Sequence, residues 1–386
     1  MANTLTNLIP TIYQAADTVS RELTGMIPAV TRNSSAERAA LNETIRYPVV
    51  GAYTPASISA AATGPDPNAT SVGSDTMTIS SSESVTFFWE GEEQRGLNNA
   101  GYYGNILRDQ FTQAMRALVN KIELELASLY IYASRAYGTA GAAPFGTAGD
   151  YMDAAMVRKI LIDNGAPSAD LQLVVNTAAG ANLRGKQGGR GVDAEGSGDL
   201  LRRGVLLDIH GFMVRESAQI VAHTKGAGTG YDFAAAGEAI GQTTLSVEGG
   251  TANTTGIKAG DVITHAGDTT NKYVVNTGTG NNASGDIIIN KPGLIIAGVD
   301  ANEITVGNSY AANLAFSRGA IHLITRAPAM PEGGDAADDV IEVQDPVSGI
   351  AFQVAMYRQR RRVAYEVGIA WGSKAVKQEH MAILLG

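Results

Sequence analysis

At 386 residues the chain is long enough for two or three cores of roughly 100–200 residues each. Apolar residues make up 44% and charged residues only 17%, so disorder is excluded, and a lightly charged surface with 45 glycines points to an exterior covered by neighbouring subunits. The net charge of −9 argues against a protein that wraps nucleic acid directly, and the absence of cysteine rules out disulfides and thiolate chemistry.

Met1–Ile9 has no basic n-region, so no secretory signal is expected, and no apolar run reaches the ~18–20 residues that span a bilayer. Pro10–Thr24 carries Ile12, Ala16, Val19 and Leu23 at helical spacing, and Gly25-Met26-Ile27-Pro28 reads as its stop. Thr31–Pro48 is polar, with charges alternating in sign. It reads either as a solvated connector or as an arm lying on a neighbour, and Met1–Arg46 as a whole has too little apolar material to belong to a core. Val49–Asn98 reads as a long extended excursion with strand-like pieces at Thr76–Ile79 and Val85–Trp89, then a charged turn at Glu90–Arg95.

The clearest element is Asn105–Tyr137, where Leu107, Phe111, Met115, Leu118, Ile122, Leu126, Leu129 and Ala133 recur every three or four residues. The spacing predicts a spine helix of about 50 Å. Asp150 can cap a helix running to about Asn164 and ended by Gly165-Ala166-Pro167, and Leu171–Val175 reads as a buried strand. Gly185–Gly198 is expected as a loop, with short strands at Val205–Ile209, Gly211–Glu216 and Ile220–His223.

Composition shifts at Lys225 towards Thr, Gly, Asn and Val/Ile, with a helical look only at Ala234–Ile240. Strand-like runs recur at Thr244–Val247, Asp261–His265, Lys272–Val275, Asp286–Ile289, Leu294–Ile296 and Glu303–Val306, which predicts a small all-β barrel or sandwich inserted between two α+β segments. Mixed structure returns with a strand core at Ile321–Ile324 and a proline- and acid-rich loop at Pro328–Ala337. A hairpin follows, its strands alternating through Ile350–Met356 and Val363–Trp371, with Arg358–Arg362 at the turn.

Catalytic chemistry is not legible. His210, His223, His265, His322 and His380 are isolated in sequence and read as packing or surface histidines. Gly226–Gly230 lacks phosphate-loop spacing, and Gly185–Gly191 reads as a flexible loop. Neither a GxSxG elbow nor a kinase signature is present, and Glu92-Glu93 and Asp338-Asp339 read as solvated charge clusters. No cofactor and no metal are expected. One charge pattern does stand out. Glu332–Asp345 carries six acids and no base, and Arg358, Arg360, Arg361 and Arg362 follow closely; they either neutralise each other within the chain or set register between subunits.

The order of parts resembles the HK97-type capsid fold of tailed phages, and more narrowly the coat proteins of the P22-like podoviruses. The residues that carry the resemblance are Ala15–Val49, Gly211–Gly226 (GFMVRESAQIVAHTKG), Gly256–Gly267 (GIKAGDVITHAG), Asn290–Gly293 and Leu314–Pro328 (LAFSRGAIHLITRAP). The resemblance implies an α+β capsid fold with peripheral and axial parts. Its divisions are an N-terminal arm (1–48), an extended loop (49–98), a spine-helix core (99–224), an inserted β-barrel domain (225–313) and a return to the core (314–386). It further implies a non-enzymatic major capsid protein, forming hexamers and pentamers of an icosahedral shell around double-stranded DNA. That shell is assembled in the bacterial host cytoplasm as a scaffolded precursor (procapsid) that expands, with scaffolding and portal proteins as partners.

Intersubunit contacts are expected at Arg32, Arg38 and Arg46 on the arm, and at Glu90, Glu92, Glu93 and Arg95 beside the extended loop. Asp338, Asp339, Arg358, Arg360, Arg361 and Arg362 around the hairpin complete the set. The competing readings are another repetitive structural protein, such as a tail tube or surface-layer subunit, and an enzyme with a β binding module.

Overall fold

The computed structural model describes residues 10–15, 24–50, 72–99, 103–147, 150–188, 206, 208–234, 237–251, 255–344 and 350–386. The expectations for Met1–Ile9, for the second half of the Pro10–Thr24 helix, for 51–71 and for most of Gly185–Gly198 fall outside these residues. In chain order, residues 10–15 form α1, Met26–Ala29 α2, Thr31–Ala39 β1, Thr44–Val50 β2, Val72–Thr78 β3 and Ser81–Glu90 β4. Gly91–Asn99 (α3), Tyr103–Ser128 (α4), Arg135–Tyr137 (β5), Met152–Asp163 (α5), Leu171–Val175 (β6), Thr177–Gly188 (α6), Phe212–Glu216 (β7) and Ala222–His223 (β8) follow. Next come Tyr231–Phe233 (β9), Thr244–Glu248 (β10), Val262–His265 (β11), Asp268–Thr277 (β12), Gly285–Ile289 (β13) and Glu303–Val306 (β14). Tyr310–Ser317 (β15), Ile321–Pro328 (β16), Asp339–Gln344 (β17), Ala351–Gln359 (β18), Arg362–Ala375 (β19) and Met381–Leu385 (β20) close the chain. The class is α+β.

The main sheet is built around β19. One side pairs with β4 from Arg362↔Glu90 to Trp371↔Ser81; on the other, β18 takes the first half and β16 the second. β1 lies parallel on β16, and β17 lies on β18. This corrects one expectation. Thr31–Ala39 is a sheet strand of its own chain, and Ile12, Ala15, Met26, Ile27 and Val30 around it are buried in the largest core, so the N-terminal segment does contribute to a core. Beyond the expected loop the acidic stretch runs into β17, where Val343 is buried.

α4 crosses the sheet with its three-four stripe inward. Leu107, Phe111, Met115, Leu118, Ile122 and Leu126 are all buried, and Phe111 meets Phe87 at 5.1 Å and Tyr365 at 5.5 Å between ring centroids. The helix ends at Ser128, not Tyr137: a 3₁₀ turn, Leu129–Tyr132, follows, and the chain then becomes extended. Tertiary pairing overrides the helical periodicity here. Ser134 gives both its N–H (2.9 Å) and its hydroxyl (2.7 Å) to Met381 O, and β5 joins β20 in parallel. Twenty-six residues at 1.5 Å give a rod of about 39 Å.

The second sheet runs β5-β20-β15-β6-β7, with β8 against β15. Its central strands are apolar on both faces because each face meets a different core. Leu314, Phe316, Ile383 and Leu385 face the spine core, while Ala315, Ala382 and Leu384 face α5 and α6. α5 stops at Gly165, whose φ of +78° suits glycine, and Asp150 Oδ1 accepts from Met152 N–H at 2.7 Å. α6 reaches Gly188, so the expected glycine loop begins as helix. Of the strand expected at Val205–Ile209, the described residues form one bridge, Ile209↔Phe212, across a turn in which His210 and Gly211 both have positive φ.

Between β8 and β15, six antiparallel strands pair in the cyclic order β11-β14-β9-β10-β13-β12-β11, closing a ring. Alternate residues point inward to a separate core that includes Tyr231, Phe233, Leu245, Val247, Tyr273 and Ile287. Leu294–Ile296 does not form the expected strand, and the described residues of Ala234–Ile240 are not helical; Glu238 and Gly298 tie the two segments by reciprocal backbone bonds. β12 also pairs with β5, joining the ring to the second sheet.

Candidate assembly surfaces

β2 and β3 form a separate two-stranded ribbon, in register from Thr44↔Thr78 to Val50↔Val72. Two strands alone are at best marginally stable in water. The molecule holds this ribbon at its base, where Met77 and Ile79 are buried with Ala39, Ile324 and Ala370, and where Lys374 Nζ reaches Asp75 Oδ1 (2.7 Å) and Thr76 O (2.8 Å). Gly372 lets β19 pass that base, since a Cβ there would sit 2.1 Å from Thr78 O. The described part of the excursion expected at Val49–Asn98 thus belongs to this ribbon, then to the sheet strand β4 and to α3, a helix over the stretch expected as a charged turn.

Two glutamates on α4 fasten the surrounding segments. Glu123 is buried, and its carboxylate accepts N–H groups from Gly25, Met26 (2.6 Å) and Ile27 (2.9 Å), capping α2. Burial pushes this carboxyl upward in pKa, against the pull of those N–H bonds. Glu125 accepts from Ser80, Trp371 Nε1 (2.7 Å) and Ser373, tying the β3–β4 turn and β19 to the helix.

The charged residues singled out in the sequence fall into three places. Arg32 and Arg38 lie on β1; Arg38 binds Pro328 O (2.9 Å) and approaches Glu342 at 3.5 Å, so its acid lies within its own chain. Arg46 is exposed on β2. Around the β18–β19 hairpin, Arg358 N–H donates to Asp338 Oδ2 (2.6 Å), and Asp339 opens β17 opposite Met356. Arg360 and Arg361 form the two-residue turn, with φ of +62° at Arg361, and Arg362 begins β19 with its guanidinium 5.0 Å from the Phe88 ring. The three arginines therefore do not follow one another along a strand; a turn separates their directions. Glu90 stands opposite Arg362 across β4–β19, and Glu92 and Glu93 occupy the first turn of α3, where acids suit the helix dipole, with Arg95 exposed beyond.

A polar junction that the sequence did not announce joins ring to core. His223 sits between Tyr130 OH and Asp261 Oδ1, 2.8 Å from each, and Asp261 also accepts Gly226 N–H (3.0 Å) and Lys258 N–H (2.7 Å). Burial, and after it the Asp261 charge, raises the pKa of the Tyr130 phenol, and His223 Nε2 donates to the Asp261 carboxylate while Nδ1 shares its hydrogen bond with the Tyr130 hydroxyl. Arg135 spans Asn271 (3.0 Å) and Asn164 (2.9 Å), and Asn290 reaches Ile131 O and Ala133 O. No short-range signal links these residues, because Tyr130 and Asp261 lie 93 and 38 positions from His223.

Among the described residues no group of three or more His, Asp or Glu side chains is placed to hold a metal ion, and no helix is long and apolar enough to cross a membrane. No family model matches the chain, and no curated protein matches its sequence. Among solved structures it is similar to the capsid of cyanophage P-SCSP1u, at 12% identity over 92% of this chain and 86% of that one, with a TM-score of 0.46. It is also similar to a virus-like particle from Pyrococcus furiosus (9% identity, 97% and 98% covered, TM-score 0.43) and to a Mycobacterium phage Che8 structure (14%, 89% and 84%, 0.41).

Proposed function

We propose that the chain is the major capsid protein of a tailed phage, self-assembling as hexamers and pentamers into an icosahedral shell around double-stranded DNA. The observation that carries this reading is the β2–β3 ribbon: antiparallel β structure that, among the described residues, has no core of its own and is fastened at its base. Such an element is stable when it lies on another surface, and in a repetitive shell the neighbouring subunit supplies one. The low charge, the stiff spine and the resemblance to P22-like coat proteins support the same conclusion. In this reading residues 225–313 are an inserted barrel domain, 1–48 an arm and 49–98 the extended loop, and the chain is not an enzyme. Assembly passes through a scaffolded precursor with scaffolding and portal partners, in the host cytoplasm. The exposed arginines and acids at Arg46, Glu90, Glu92, Arg360 and Arg361 set register between subunits.

Negative-stain microscopy of the purified protein tests the reading. Closed shells are expected, whether alone or with a scaffolding partner; tubes, flat sheets or isolated particles under both conditions overturn it.

A further inference from the structure

The pairing that joins the ring to the second sheet is short. β12 lies against β5 through Tyr273↔Arg135 and Lys272↔Ala136. β5 then stops at Tyr137, and Gly138, with a φ of +108°, turns the chain away so close to Leu385 that a Cβ would meet Leu385 O at 3.0 Å. A cleft opens where the pairing ends. One part of it, of about 200 Å³, has Thr264, Lys272 and Thr305 of the ring on one side and Thr139, Tyr310 and Leu385 of the core on the other. A second part, of about 410 Å³, continues from Lys272 along the loop after Gly138.

The polarity of the ring wall follows from its strands. Ile263, Tyr273 and Ile304 belong to the ring core, so alternation turns their neighbours Thr264, Lys272 and Thr305 outward, and Thr264 stands opposite Thr305 across β11–β14. Lys272 Nζ donates to Gly138 O, and at the rim Lys225 Nζ lies 3.4 Å from Asn308 Oδ1. Among the described residues neither lysine forms an ion pair, and no acid lines the 200 Å³ part. The second part has Asp153, whose Oδ2 already accepts the Phe145 N–H at 2.7 Å. In a chain of net charge −9, a half-buried amine walled by hydroxyls and facing no carboxylate is a positive site without its counter-charge. Burial lowers the Lys272 pKa with no anion to offset it, and its ammonium carries three donors where Gly138 O takes one.

We propose that this cleft binds a carboxylate ligand of about side-chain size, held by Lys272 with Thr264 and Thr305 and seated against Tyr310 and Leu385. The free donors are an ammonium and hydroxyls, and Val262, Tyr310 and Leu385 give the 200 Å³ part an apolar side, which fits an acid on a short aliphatic stem. Phosphate brings more charge than one half-buried amine offsets and has no stem for the apolar side. Because the walls come from both the ring and the core, the occupant braces the seam between them. A free small dicarboxylate and a glutamate presented by another protein carry the same chemistry to the amine, and they differ in what surrounds the acid.

Saturation-transfer NMR on the full-length chain, titrated with glutarate and with the blocked peptide acetyl-Ala-Glu-Ala-amide, tests the proposal. At least one probe is expected to bind saturably, with a dissociation constant of about 1 mM or tighter, and inorganic phosphate should not displace it. Lys272→Gln should weaken binding by about tenfold or more and Thr264→Val by about threefold, while Lys291→Gln, on a lysine outside the cleft, leaves it unchanged. Thr264→Val keeps the lysine and its bond to Gly138 O, so the outcome does not depend on the fold tolerating the loss of that bond. Tighter binding of glutarate assigns a free acid as the ligand, and tighter binding of the peptide assigns a protein partner. The proposal is overturned if neither probe binds, if both cleft variants bind like the parent, or if phosphate displaces the bound probe. In each of those cases the shell reading stands.

Discussion

The ring of β9–β14 and the β2–β3 ribbon are both antiparallel structures cut from Thr-, Gly- and Val-containing sequence, yet they stand in opposite relations to the rest of the molecule. The ring closes on itself, pairs each of its strands on both sides and encloses twelve buried apolar residues. Among the described residues the ribbon has one partner per strand, and it borrows apolar contacts from the main sheet at its base. Closure satisfies backbone groups and core together, so the ring is complete within one chain; an open ribbon leaves both needs to another surface. Among the described residues the same difference separates β19, paired on both edges, from β4, paired on one.

The largest expected effect breaks the comparison at its root. Residues 225–313 expressed alone should give a dispersed amide spectrum and a cooperative melt, whereas residues 44–78 alone should give neither; a disordered spectrum for the ring fragment refutes its independence. Next in size, Ile287→Ala inside the ring should cost about 2–5 kcal/mol by denaturant titration, while Thr76→Ala on the ribbon should stay within about 0.5 kcal/mol. Equal losses at the two sites would show that the ribbon is as integral as the ring.

A pH titration sharpens the contrast. His265 is buried in the ring wall beside Phe233 and Tyr273, and burial holds its pKa below the ordinary 6.5. Below pH 6.5 the unfolded chain takes up a proton that the folded ring refuses. Stability is therefore full above that pH and falls as pH drops beneath it. Thermal melts at pH 7.5 and 5.5 should show a smaller drop for His265→Gln than for the parent; identical drops would assign the acid sensitivity to His322 and His380, which burial shifts in the same direction.

The smallest effects lie at charged surface residues. Lys374→Ala removes a half-exposed pair with Asp75 and should cost under about 1 kcal/mol. Arg360→Glu at the hairpin turn should leave monomer melting unchanged, and Arg362→Glu should lose about 0.5–1 kcal/mol with its contact to Phe88. Losses of several kcal/mol at either arginine would make the turn a structural element and not an assembly surface.

Periodicity carried much of the fold. The α4 stripe, the alternating hairpin of β18 and β19, the runs that became β10, β11, β13 and β14, and the glycine stop after α5 are all local patterns, because side-chain direction along one helix or strand follows from spacing alone. What no window of sequence contains is the identity of a segment's neighbours. Polar Thr31–Ala39 reads as a connector until β16 offers it a parallel edge, and helical-looking Arg135–Tyr137 becomes a strand because β20 lies beside it. Among the surface residues, the sequence marked the arginines and acids by type, but a register of six pairs brought Asp338 under Arg358, and a single turn set Arg360 and Arg361 apart from Arg362. His223 shows the limit most clearly: its chemistry comes from Tyr130 and Asp261, brought to 2.8 Å by the folding of three distant segments. Long-range hydrogen bonds and shared cores settle such positions, and they act between residues that a linear pattern does not connect.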